Sequence, residues 1–195
     1  AKASEMEHAI RKHCTVHHDE DPAFYKSLSA KVDALINQHH EQWDLLAEKL
    51  AELRTEATAG RQTGKDGMNR EATTFFEHLA QVGFEDGQIP AMHLPAFKIL
   101  MERLVEILQE TINSIDFWTN ADKQKRVRGM LKTVITATGI EELKSRRERM
   151  AVEVMKLAKQ DPEAGKLVAG AYTAVSGRKV DLSGLTAGGK AEAAA

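Results

Sequence analysis

From Pro22 to about Thr58 the apolar positions recur on alternating three- and four-residue steps. They are Tyr25, Val32, Ile36, Trp43, Leu46, Leu50, Leu53 and Ala57, with Ser29 and His39 filling the polar gaps. Residues three, four and seven apart share one face of an α-helix, so this spacing predicts an apolar stripe. A heptad-like stripe of this length predicts one long helix that packs lengthwise against another, a coiled-coil-like arm. Asp21 and Pro22 mark its start: Asp as the N-cap, and Pro at the first helical position, where no hydrogen bond is lost. Ahead of it, Ser4 and Glu7 form a capping-box pattern for a short helix to about Val16. The polar run His17-His18-Asp19-Glu20 ends that helix. Gly60, Gly64 and Gly67 then predict a flexible connector.

Helical periodicity resumes beyond the connector. A shorter helix from about Met68 to Val82 turns Phe75, Phe76 and Leu79 inward, and Gly83, Gly87 and Pro90 mark a loop. A strongly amphipathic helix through Asn113 carries Phe97, Leu100, Met101, Leu104, Ile107, Leu108 and Ile112. The segment from Ile115 to Asn120 interrupts the helices, with Asn120 placed as an N-cap. Val127, Leu131, Val134 and Ile135 define the next helix, capped by Gly139. Leu143, Met150, Val154, Met155 and Ala158 define another, ending at Lys159. After Asp161-Pro162 a weak helix over 163–174 is predicted, then a disordered Gly/Ala/Ser-rich tail. The expected fold is all-α: a helical bundle with one long helix forming a coiled-coil-like arm. Its expected organisation is a helical assembly domain over 1–160, with the arm at 5–58 and the bundle at 68–160. The remainder, 161–195, is expected to be weakly helical to disordered.

Composition changes this picture little. Ala, Leu, Glu and Lys dominate and Pro is scarce, which favours helices. The single cysteine, Cys14, allows no internal disulfide and fits a reducing compartment. No apolar run reaches the eighteen residues of a membrane span, and no signal-peptide pattern opens the chain. A cytoplasmic protein without membrane contact is expected. The start at Ala1-Lys2-Ala3, without Met, suggests a piece of something longer.

Charge is more informative. The stretch from Ala121 to Lys159 holds eleven Lys or Arg against five Asp or Glu, a net of +6, so the rest of this −2 chain carries −8. Lys123, Lys125, Arg126 and Arg128 crowd one helix start, and Lys144, Arg146, Arg147 and Arg149 form a second cluster. A basic face of this kind suits phosphate backbones through counterion release, without base specificity. Its bland counterpart is a solvated surface, or pairing to acidic helices of the same fold. The pair Phe117-Trp118 is bulky for a connecting segment. It is a candidate partner surface, since aromatics dominate interface energetics, although such pairs more often plug a helix junction.

Catalytic chemistry is harder to find. His13 and His17 are four apart and could share one helix side with Cys14 and His18 nearby, yet the second cysteine that a closed zinc site would use is missing. Cys14 has no base and orienting partner at a recognisable spacing. The stretch Gly60 to Gly67 lacks the Gly-Lys-Ser/Thr ending of a phosphate loop. No catalytic residue, metal ligand or cofactor is assigned to this chain.

Three segments carry a family resemblance: Met6 to Arg11 leading into Asp19 to Tyr25; Ile115-Asp116-Phe117-Trp118 followed by Lys123 to Gly129; and Met150 to Lys159. In this order they resemble the C-terminal helical region of type I restriction enzyme R subunits. Together they span most of residues 6–160, and the tail from about Gly165 has no counterpart. The resemblance implies a parent that uses ATP and Mg to translocate double-stranded DNA and cut it. Here the helical region would assemble with the methyltransferase–specificity complex and with the rest of the R subunit; contact with duplex DNA is an expectation drawn from the charge of the basic helices. The nuclease and nucleotide-binding residues of that family are not in this chain. The alternative expectation is a coiled-coil oligomerisation or adaptor module with no DNA role.

Overall fold

The computed structural model describes residues 2–160 and 166–177. The chain divides into two compact units, Ala1–Thr63 and Gly64–Ala195. Among the described residues the regular structure is entirely helical, so the all-α expectation holds. No helix among them is long and apolar enough to cross a membrane.

The first unit contains helices α1 (Lys2–Val16), α2 (Pro22–His39) and α3 (Trp43–Ala59), each packed against the other two. Asp21 caps α2 by accepting a hydrogen bond from the Phe24 N–H at 3.2 Å, and Pro22 opens the helix as its sequence predicts. Ile10 and Cys14 of α1, Tyr25, Leu28 and Val32 of α2, and Leu46, Leu50 and Leu53 of α3 form one buried cluster. Exposed ion pairs tie the helices outside it: Arg11–Asp33 at 2.7 Å and Lys31–Glu56 at 2.6 Å.

The long arm is therefore not formed. Residues His40, Glu41 and Gln42 break the predicted helix, and its two halves lie side by side as α2 and α3. The physical reason lies in the stripe itself. From Asn37 to Gln42 no side chain is apolar, so a straight helix would have nothing to bury over that stretch. Folding back brings Leu46, Leu50 and Leu53 against Tyr25, Leu28 and Val32, and burying each Leu or Val is worth about 1.5–3 kcal/mol. Trp43, read as a seam residue, instead begins α3 and is 64% exposed. The same stripe was to be the seam of the oligomerisation alternative. Most of it is consumed inside the unit.

One buried ion pair closes this unit. Gly60 sits at φ +68°, where the chain leaves α3, and Arg61 then turns onto Asp21. The Arg61 Nε donates to Asp21 at 2.6 Å and an Nη at 3.3 Å, with both side chains nearly buried. The guanidinium also lies 5.5 Å from the centre of the Phe24 ring.

The second unit contains α4 (Arg70–Gly83), α5 (Leu94–Thr111), α6 (Ala121–Ala137), α7 (Glu141–Lys159) and α8 (Lys166–Ser176). Its core joins Phe75 and Leu79 of α4, Phe97, Leu100, Leu104 and Leu108 of α5, Leu131 and Ile135 of α6, and Met150 and Val154 of α7. Gly83 permits a close crossing of α4 and α7, since a Cβ there would lie 2.6 Å from Leu143 Cδ2. The C-terminal boundary differs from expectation. α8 packs against α4 and α5 with Val168, Ala169 and Ala171 buried, so the core extends beyond 160. Gly170 makes this approach possible: a Cβ there would stand 2.8 Å from Glu71 Cβ. The predicted disordered tail lies outside the described residues.

Candidate nucleic-acid interface

The basic cluster is carried by a hairpin of α6 and α7. Upstream, Phe117 opens a single 3-10 turn, Phe117–Thr119, and is 1% exposed. Trp118 meets it edge-on at 4.8 Å and is half-buried against the same core. The pair therefore plugs the junction between α5 and α6. Phe117 is corrected from partner surface to core, because its ring is buried among the side chains of the second unit's core. Asn120 caps α6 by accepting from the Lys123 N–H at 3.0 Å. Asp116 binds the side chains of Asn120 and Lys123, and these hydrogen bonds, the Lys123 one foremost, hold its carboxyl below the ordinary value.

At the tip of the hairpin Gly139 adopts φ +72°, and the Thr138 hydroxyl oxygen accepts from the Ile140 N–H at 3.2 Å. Val127, Leu131 and Ile135 face inward on α6, as Leu143, Met150 and Val154 do on α7. This fixes which side of each helix is left to solvent. Gly129, Lys132, Thr133, Thr136 and Ala137 of α6, with Arg147 and Glu148 of α7, line an open groove of about 500 Å³.

The cations are distributed unevenly around it. Lys132 Nζ donates to Glu148 at 2.8 Å. That bond, followed by the charges of Lys132, Arg128 and Arg147, holds the Glu148 carboxyl below its ordinary value. Lys125 is seven residues before Lys132, hence on nearly the same side of α6 and roughly 10 Å along its axis. Lys144 is one turn before Glu148 on α7 and pairs with Glu141 at 3.1 Å. The groove flank thus gathers Lys125, Arg128, Lys132, Lys144 and Arg147. Arg146 and Arg149 point elsewhere, Arg146 roughly 160° around α7 from Glu148 and Arg149 roughly 160° from the groove-lining Arg147, and Arg126 is about 120° around α6 from Lys132. Lys123 is engaged with Asp116.

The eight sequence candidates do not form one face. Lys132, central to the groove, was missed because it lies outside both sequence clusters. Its signal was the spacing Lys125, Arg128, Lys132, which repeats at three and four residues.

No family model, curated protein or solved structure matches this chain. What the hairpin can do follows from its own chemistry. Lys132 and Arg147 line the groove beside small side chains, helical spacing puts Lys125, Arg128 and Lys144 on the same flank, and Gly129 leaves open space for a backbone to approach. Such a surface suits a chain of phosphates more than a flat protein partner.

In the first unit, the His13 and His17 rings lie tilted at 34° with centres 4.3 Å apart, and His17 Nδ1 lies 2.8 Å from a Glu20 carboxylate oxygen. Among the described residues no three His, Cys, Asp or Glu side chains converge as metal ligands. Cys14 is buried, and that burial raises its thiol above the ordinary value, with a smaller opposing contribution from Ser29. A raised thiol is a poor nucleophile at neutral pH.

Proposed function

We propose that this chain is a non-catalytic helical region of a cytoplasmic type I restriction enzyme R subunit, in which the α6–α7 hairpin lies along the duplex backbone. The observation that supports DNA contact is the groove, where Lys132, Arg147 and Arg128 act on Glu148 and Lys125 and Lys144 continue the basic flank along the two helices. The assembly role rests on the ordered resemblance of residues 6–160 to that family. ATP and Mg would belong to other parts of the parent, as would sequence recognition. The partners would be the methyltransferase–specificity complex, the rest of the R subunit and double-stranded DNA.

Fluorescence anisotropy of a labelled duplex tests the DNA half of this reading. The double variant Lys125→Ala, Lys132→Ala should weaken binding equally across unrelated sequences. It should also lower the slope of log K against log salt by about one unit: Lys125 releases a counterion from DNA, while Lys132 is already paired with Glu148 in the free chain. No binding by the parent chain at low salt would refute backbone contact. Size-exclusion chromatography with light scattering tests the other half: co-elution with the cognate methyltransferase–specificity complex is expected. Two separate peaks at micromolar concentration would remove the assembly role.

A further inference from the structure

The groove already contains an anion. Glu148 projects into it from α7 and takes a hydrogen bond from Lys132 across the helix interface. Arg147 precedes it on α7, and Arg128 is one turn before Lys132 on α6. One carboxylate therefore sits among three cations. Its side chain is 67% exposed, so rotation about its own bonds moves it into water without disturbing the core. Thr133 and Thr136, on the same wall, keep their side chains small and polar.

We propose that Glu148 holds the place of a backbone phosphate, and that duplex DNA displaces it to seat a phosphodiester between Lys132, Arg147 and Arg128. This deepens the function proposed above and rests on it. A phosphodiester oxygen can accept the hydrogen bond that the Glu148 oxygen now accepts, with the same charge. Glu148 thereby sets a threshold: weak polyanions fail to displace it, while a regular array of phosphates, engaging Lys125 and Lys144 together with it, succeeds. The chemistry argues for nucleic acid over an anionic lipid surface. Peripheral membrane helices carry large apolar side chains beside their basic ones, whereas this wall carries Gly129, Thr133, Thr136 and Ala137.

The direction of the effect follows from ion accounting. In the free chain Lys132 is neutralised by Glu148. When a phosphate takes Lys132, the released carboxylate recruits a cation from solution, cancelling one of the counterions released by DNA. Removing the carboxylate removes that cancellation. Glu148→Gln should therefore steepen the salt slope by about 0.9. It should also tighten binding at low salt by roughly two- to fivefold, since an exposed pair no longer has to be broken.

The experiment is a salt titration of duplex binding by anisotropy, using the full chain, Glu148→Gln, Lys132→Gln and the two changes combined. Glu142→Gln is the control. It makes the same change in net charge from a position about 120° around α7 from Glu148. A thermal melt of each variant checks that it is folded. The expected result is tighter binding and a steeper slope for Glu148→Gln, little change for Glu142→Gln, and no slope effect of Glu148→Gln once Lys132 is Gln. Equal tightening by Glu148→Gln and Glu142→Gln would leave only net charge at work and overturn the proposal. So would additive effects of the Lys132 and Glu148 changes. Phosphatidylserine vesicles form a separate arm: vesicle binding without duplex binding would assign the groove to lipid and overturn both readings. A wild-type chain that binds neither refutes backbone contact itself. One that binds duplex with no particular response to Glu148→Gln refutes only the placeholder.

Discussion

Replacing Arg61 by Ala should destabilise the first unit by about 3 kcal/mol, most of it through what is left behind. The Arg61 and Asp21 side chains of this pair are only 7% and 10% exposed, and removing one partner of such a pair ordinarily costs about 3–5 kcal/mol. Two features pull in opposite directions. Asp21 keeps its cap bond from the Phe24 N–H and lies at the positive end of α2, which lowers the cost. The guanidinium over Phe24 is lost as well, adding about 0.5–1 kcal/mol. Cys14 provides the assay, because it is the only cysteine, is buried in this unit and is inert while folded. Its labelling by a maleimide then tracks the open fraction of the unit, provided that closing outpaces reaction. A loss of about 3 kcal/mol corresponds to labelling faster by about a hundredfold or more. Asp21→Asn combined with Arg61→Met should label more slowly than Arg61→Ala, since no buried charge is orphaned. A labelling rate within twofold of wild type for Arg61→Ala would refute the reasoning. So would a double variant no better than the single one.

Three further outcomes are expected. Trp43→Ala should change stability by less than about 0.5 kcal/mol, whereas Leu50→Ala should cost about 2–5 kcal/mol, both measured by denaturant unfolding followed by Cys14 labelling. Asp116 titrates below its ordinary value in the folded chain. Its contribution is therefore present above the unfolded value and disappears as pH falls through the folded one, and Asp116→Asn should flatten the acid limb of the stability–pH curve. A chain ending at Gln160 should show earlier thermal unfolding of the second unit, because it loses Val168, Ala169 and Ala171. Burial of Val168 alone is worth about 1.5–3 kcal/mol, and an unchanged melt would mean that α8 contributes nothing to the core.

Much of this fold was legible. Asp21-Pro22, Asn120 and Gly139 marked helix ends by local chemistry, and local chemistry survives into the folded state. The reversal at His40–Gln42 was not legible, since no Gly or Pro marks it and the step from Ile36 to Trp43 keeps the heptad spacing. Only the gap without apolar residues from Asn37 to Gln42 hinted at a turn. α8 was legible as a helix but not as core. Gly170 reads as a helix weakener in sequence, while in the fold it is what allows contact with Glu71. The basic surface was found by clustering in sequence, and adjacent residues on a helix point about 100° apart. Periodicity therefore decides which cations act together, and it moves the centre of the site to Lys132.

The separation into two units, each closing a core on its own side chains, bears on what melting this protein means. A single midpoint presumes one cooperative transition, whereas two cores that open separately give two. The heat absorbed over a calorimetric scan then exceeds the van't Hoff value drawn from the steepness of any one probe. Trp43 and Trp118, one in each unit, blend both events in a fluorescence trace. For cores that open separately stability is a pair of numbers, and a substitution then has a definite free-energy effect only when the half that carries it is named.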